Sequence, residues 1–456
     1  MEVALLSDLW AALGGAGSRA QHVVFSGAGA LPSVFPVTAL AAASVGAAGL
    51  AVAELVELHG GARPQVRVDR RLASLWFGTS LRPQGWSVPP PWDPIAGDYR
   101  AADGWIRLHT NAPHHRAAAL SVLGAEEQKE AVARAVGTWA ADDLEAAVVA
   151  AGGCAAAMRS LEAWRAHPQG AAVGAEPLFA WQAGEAGGTA EARFRPERPL
   201  SGVRVLDLTR VLAGPVATRF LAGYGATVLR IDPPGWEEPG VVPEVTAGKS
   251  CARLDLTDPA RKAQLCGLIR QADVLVHGYR PGALEGLGLG ADARRALRPG
   301  LVEVSLDAYG WSGPWAGRRG FDSLVQMSAG IAEAGMRGLG RDRPTPLPVQ
   351  ALDHATGYLM AAAAIRGLCT RLRTGRGSAA RTSLARTAAV LAAHPADPAA
   401  APIAPETAAD LDAAVETTSW GPALRLRAPL QVAGAPMRFN TGARALGSAP
   451  AQWARD

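Results

Sequence analysis

An α/β protein, in which a doubly wound, Rossmann-like parallel sheet stands beside a smaller α+β domain, is the fold class this sequence predicts. Three observations carry the prediction. VRVLDL (Val203–Leu208) and TVLRID (Thr227–Asp232) are strongly apolar strand runs, and a glycine-containing turn, TRVLAGP, and a helix to about Gly223 join them into a βαβ unit. ADVLVHGY and LVEVSLDAYG are two further strands, each preceded by helical text, RKAQLCGLIRQ and ADARRAL. The 456 residues, 49% hydrophobic and 19% charged, are enough for two or three buried cores.

In chain order, residues 1–95 come first. Leu31 to Ala53 carries no charge, but its apolar content is Ala and Gly rather than Leu, Ile or Phe, which predicts a buried helix and no membrane span. AVAELVELHGGARPQVRVDRRLASL (51–75) echoes GLCTRLRTGRGSAARTSLARTAAVL (367–391): apolar helix, Gly/Arg turn, short strand, second helix, without a gap at an offset of 316 positions. Residues 1–95 are therefore expected to be a degenerate repeat of the segment around 317–391, ending in a proline-rich linker, VPPPWDP. Residues 96–198 read as the small domain, with a strand pair around the DG of DYRAADGWIRLHTN and helices in EEQKEAVARAVGTW and DDLEAAVVAAGG. Residues 199–395 form the parallel-sheet domain, and 396–456 a tail completing it.

Composition excludes several classes. The formal charge of +4 comes from scattered Arg without the aromatic–basic interleaving of a nucleic-acid surface. Four widely spaced cysteines with no CxxC predict reduced thiols in a cytoplasm and no zinc site. No signal-peptide pattern opens the chain, and HExxH, GxSxG, P-loop and GxGxxG motifs are all missing. The His114–His115 pair reads as a solvated turn, and the tryptophans as packing anchors, with Trp311 or Trp315 as candidate walls of a ligand pocket.

One charge stands out. In LPVQALDHATGYLMAAAAIRG, Asp353 sits just ahead of an alanine-rich apolar run. Helix capping is the ordinary reading. In the register of the repeat, however, Val37 stands opposite Asp353, so only one copy has the carboxylate. A cap the helix needs should survive in both copies, which shifts weight toward chemistry.

The text PLSGVRVLDLTRVLAGPVATRFLAGYGATVLRIDPP, GKSCARLDLTDP, ADVLVHGYRPGALEGLGLG, SLDAYGWSGPW, GFDSLVQMSAG, LDHATG and RLRTGRG resembles the class III CoA-transferases. That family includes formyl-CoA and carnitine CoA-transferases and α-methylacyl-CoA racemase relatives. DGWIRL to EAWRAHPQG resembles its small domain and GPALRLRAPLQVAGAPMRF its closing strands, so the parts occur in a permuted, partly duplicated order. The resemblance implies a transferase that uses coenzyme A as substrate with no permanent cofactor, takes an acyl-CoA and a small carboxylate, and forms a homodimer, interlocked in the family. It places the nucleophile at Asp353, which attacks the thioester to give a mixed anhydride and then an aspartyl-CoA thioester. Such a step needs an ionised carboxylate and backbone donors for the oxyanion, and a helix N-terminus would favour the charge.

The same resemblance carries CoA contacts to Arg210 and Ala213 in the first turn, to Arg230, Lys249 and Arg253 as phosphate partners, and to Tyr279 and Arg280 beside the adenine. Each arginine could equally be a solvated surface charge. Two departures matter: Gly286 stands where the family often has Arg, and Phe321 of GFD where racemases have His, so racemisation, which needs an acid and a base, is disfavoured unless His354 substitutes. An isomerase of acyl-CoA and a catalytically degenerate acyl-CoA-binding protein are the alternatives.

Overall fold

The computed structural model describes residues 1–60, 62–187, 194–397 and 400–454. Six parallel strands form the main sheet. In chain order they are Arg204–Leu208, Thr227–Asp232, Lys249–Arg253, Val274–His277, Val302–Asp307 and Arg376–Ser383, and in space they run third, second, first, fourth, fifth, sixth. Ala180–Ala186 adds an antiparallel edge. The third strand and the edge are absent from the sequence prediction, because Lys249–Arg253 carries two cations and Ala180–Ala186 lies mostly exposed, so neither shows an apolar run.

Side-chain alternation separates the two faces. Val205, Val228, Val274, Val276, Val302 and Val304 join one core with the helices Ala213–Gly223 and Ala351–Thr374; Leu206, Leu208, Leu229, Ile231 and Leu275 join another with the helix Pro259–Gln271. Gly357 lets the first pair of helices meet, since a Cβ there would lie 2.5 Å from the Ala213 carbonyl oxygen.

Both segments expected to be a repeat fold as helix, strand, helix: Val37–Leu58, Val66–Asp69 and Arg70–Trp76 against Ala351–Thr374, Arg376–Ser383 and Leu384–Ala392. The register differs from the gapless one expected. Pro36 and Gln350, which precede the two long helices, share nearly the same backbone angles, and Asp69 and Ser383 both cap the helix after the strand, so the two segments correspond at an offset of 314 positions at both junctions. The first long helix is shorter by two residues, and its following turn longer. Ala39 rather than Val37 thus stands opposite Asp353, and the carboxylate is still missing.

The two long helices pack on each other. Val37–Leu58 is long and apolar enough to cross a membrane, yet its most apolar stretch is wholly buried. Of its two glutamates, Glu54, 2% exposed, accepts from Arg373 Nη2 at 2.6 Å and from Arg366 Nη1. Burial opposes the Glu54 charge, but these two guanidinium groups outweigh it and hold the carboxyl below its usual pKa. Glu54→Ala should therefore lower stability by about 2–3 kcal/mol, read as a lower denaturation midpoint, because a buried pair is broken and Arg366 keeps only carbonyl and ring contacts.

The smaller unit has the sheet Gly97–Arg100, Trp105–Leu108, Ala155–Ala157 under helices Pro113–Leu123, Lys129–Val136 and Ala141–Ala150. His115 is 3% exposed inside its first helix, so the expected solvated turn is corrected: burial, with His114 and two arginines nearby, pushes its pKa down to about 4. A third sheet joins Leu81–Pro83 to Glu416–Thr418 and Gly421–Arg425. All four cysteines are free.

Candidate active site

Asp353 lies in the first turn of the Ala351–Thr374 helix, 8% exposed, and its side chain opens on a cleft of about 900 Å3. The cap of that helix is another residue. Asp322 accepts the Asp353 backbone N–H at 2.9 Å and that of Leu352, and Gln326 Nε2 donates to its other oxygen. The remaining free amides are also taken, Ala351 by the Val349 carbonyl and His354 by the Gln350 carbonyl. The Asp353 carboxylate itself receives no hydrogen bond among the described residues.

That arrangement corrects two expectations. The first four amides of this helix, Ala351 to His354, are thus all engaged and unavailable to an oxyanion. Nor does the helix end hold Asp353 ionised: burial and the neighbouring Asp322 raise its pKa well above the ordinary carboxyl range. Asp322 is raised to about 6 by burial, tempered by its amide and side-chain donors. The two carboxyls resist ionising together, and Asp322, which has the hydrogen bonds, is the better holder of a charge. Asp322→Asn keeps an oxygen for the cap and removes the like charge. The acid limb of the rate profile should then move to lower pH, with kcat at high pH largely kept; an unmoved limb would show that Asp322 does not set the Asp353 titration.

Three orphaned polar atoms belong to residues lining the same cleft: Ser323 Oγ, His354 Nδ1 and His109 Nδ1. Sequence reading missed Ser323 and His109, and its only signal was their neighbourhood to GFD and WIRLH. Ser323, 4% exposed, offers a hydroxyl donor where those four helix amides are already engaged. His109 stacks on Phe321 with ring centroids 3.7 Å apart, and His354 on Phe77 at 5.0 Å. Burial pushes both imidazole pKa values down to about 3, leaving them neutral at ordinary pH.

The opposite wall is the segment expected to be a linker. Thr79, Trp86, Val88 and Pro89–Trp92 line the cleft with Val241 and Val349. A second cavity of about 230 Å3 shares Pro90–Trp92, His109, Val211 and Val241 with it and reaches Trp236 to Glu238. Val211 is on both, at φ 64, the left-handed region that a β-branched residue rarely occupies; its N–H donates to Glu238 Oε2 at 2.7 Å. Trp311 and Trp315, expected as pocket walls, each line a cavity other than the Asp353 cleft: Trp311, under Arg381, one of about 190 Å3 that also holds Tyr279 and Arg280, and Trp315, under Arg318, one beside Arg159 and His167.

Of the expected CoA contacts, Arg210 and Tyr279 meet at the topological switch of the sheet. They follow the first and fourth strands, Arg210 Nη2 donates to the Tyr279 hydroxyl at 3.2 Å, and its guanidinium also stacks over Trp236. Ala213 opens the next helix, buried. Arg280 is exposed beside Tyr279. Three others are corrected. Arg230 is fully buried, Nε 2.8 Å from Asp232 Oδ2 and Nη2 against Glu238. Lys249, 2% exposed, directs Nζ at Asp207 Oδ2 (3.0 Å), the Pro215 carbonyl (2.9 Å) and Thr218 Oγ1 (2.6 Å), so its three donors are all engaged. Arg253 holds the carbonyls of Pro233, Pro234 and Trp236 and pairs with Glu237, shaping the loop of the smaller cavity instead of offering a free cation. A Cβ on Gly286 would meet nothing within 4 Å, so packing does not demand glycine there. Among the described residues no group of His, Cys, Asp and Glu could hold a metal ion.

Residues 200–416 match the family described as CoA-transferase family III. A probable fatty acyl-CoA transferase of Mycobacterium tuberculosis is 38% identical over 194 residues, covering 40% of this chain and 49% of that protein. A succinyl-CoA:glutarate CoA-transferase of Mus musculus is 34% identical over 213 residues, 42% of this chain and 48% of its own length. A solved CaiB/BaiF family protein of Brucella suis shares 25% identity over 50% of this chain and 65% of that one, at a TM-score of 0.39. The chain thus spans about half the length of the curated relatives it matches.

Proposed function

We propose, from the match of residues 200–416 to CoA-transferase family III, that this chain moves CoA from an acyl-CoA to a carboxylic acid with Asp353 as nucleophile. The Asp353 carboxylate adds to the thioester carbonyl, the C–S bond breaks, and CoA leaves as thiolate. The thiolate then attacks the aspartyl carbonyl of the mixed anhydride and releases the donor acid. The acceptor carboxylate adds to the aspartyl-CoA thioester and the same two steps run in reverse, so no electron or metal is needed.

The observation that carries the reading is the division of labour at one helix end: Asp322 does the capping, and Asp353 faces the cleft without a partner. In this proposal the main sheet is a Rossmann-like, doubly wound CoA domain, with Arg210 and Tyr279 at its switch point and Ser323 Oγ as oxyanion donor. A homodimer in the cytoplasm belongs to the same proposal. Isomerisation is less well supported, because imidazoles with pKa values near 3 are poor partners for a carbon acid. Incubation with radiolabelled acetyl-, succinyl- or octanoyl-CoA followed by hydroxylamine should convert Asp353 to its hydroxamate. Exchange of the α-proton without capture would replace transfer by isomerisation.

A further inference from the structure

The cleft facing Asp353 also constrains the acyl group. Its volume of about 900 Å3 is at the upper end of the ~300–1,000 Å3 typical of small-molecule sites, and Phe77, Leu81, Trp86, Val88, Trp92 and Val241 give it an apolar lining. Its charges are already committed. Arg82 is the sole arginine or lysine on the wall, and it donates to Glu406 through Nε at 2.8 Å and through Nη2, and to the carbonyls of Thr79 (2.9 Å) and Leu81 (2.8 Å). His109 and His354 are neutral, while Glu244, Asp322 and Asp353 are all acidic. A second carboxylate on the acyl chain would find Arg82 already paired with Glu406 and the acids Asp322 and Asp353 nearby, Glu244 being matched by Arg219 and Arg425, and burying it unpaired is costly.

We propose that the acyl group handled here is bulky and apolar, a monocarboxylic chain of medium length or longer, and not a short dicarboxylic acid. This rests on the transfer reading above. The acyl chain runs from Asp353 toward Trp86 and Val88, while the pantetheine arm enters past Val211 and Trp236 through the smaller cavity. The repeat unit's trailing segment, residues 77–92, thereby sets specificity.

The test compares acetyl-, succinyl-, octanoyl- and palmitoyl-CoA on the full chain by kcat/KM, by capture at Asp353, and by tryptophan fluorescence as a binding readout. Each buried methylene is worth about fourfold, so octanoyl-CoA should exceed acetyl-CoA by at least ~100-fold, with succinyl-CoA no better than acetyl-CoA. Val88→Trp, which fills the cavity, should reduce octanoyl-CoA turnover about tenfold more than that of acetyl-CoA. Capture at Asp353 with succinyl- or acetyl-CoA preferred would overturn the apolar assignment and leave transfer standing. Chain-length-dependent binding without capture would do the reverse, supporting the ligand class while ending the transfer reading. Binding indifferent to chain length would overturn the inference.

Discussion

Replacing Asp353 by Ala or Asn should abolish turnover, with kcat down by at least ~10^4-fold and no hydroxamate formed, while the protein melts no lower than the parent at pH 7. The two halves of that result belong together. Asp322, not Asp353, receives the helix amides, so truncating Asp353 uncaps nothing. Its pKa is raised by burial and by Asp322, so ionisation of Asp353 opposes folding, and increasingly so as pH climbs past the unfolded value of 3.8. Removing the group relieves that opposition. A dead variant that is also markedly less stable would point instead to a structural role, and an active one would end the mechanism.

The second large effect is expected at Glu244. Its carboxylate accepts the backbone N–H of Ser80 and of Leu81, both at 3.0 Å, the hydroxyls of Ser80 (2.6 Å) and Thr79 (3.1 Å), and pairs with Arg219, with Arg425 nearby at 3.8 Å. It joins the N-terminal segment at Thr79–Leu81, the first helix of the main sheet and the C-terminal strands at the edge of the cleft. Glu244→Ala strands the 1%-exposed Arg219 and two buried amides, and should cost about 3–5 kcal/mol, seen as a large drop in the denaturation midpoint. Burial opposes this charge, but Arg219 and Arg425 overcome it and depress the pKa from 4.5 to about 2. The depressed value means the stabilisation is whole above pH 4.5 and is lost as pH falls toward 2. Glu244→Gln should flatten that acid dependence; an unchanged acid melt in the variant would assign it to another group.

Much of this arrangement is legible in the sequence. Four of the six parallel strands announce themselves because buried strands are apolar runs, and Asp353 because a lone carboxylate heads an alanine-rich helix. Arg230 and Lys249 were misread since a cation named by motif carries no sign of its burial. One signal was there: Arg230 and Asp232 are two apart on a strand, hence on one face, which is the pattern of an internal ion pair. Asp322 and Ser323 were hidden for another reason. The role of Asp322 depends on a helix start about thirty residues downstream, and nothing local distinguishes a cap for a distant helix from any other acidic residue, while Ser323 matters only through the cleft that the fold assembles around it.

The segment from Phe77 to Trp92 lines the same cleft as the Asp353 carboxyl, on the same polypeptide. Loop closure within one molecule, rather than encounter between molecules, therefore determines how often roof and floor come together. Dilution cannot separate them, and a single polypeptide keeps the vestibule roofed at any concentration.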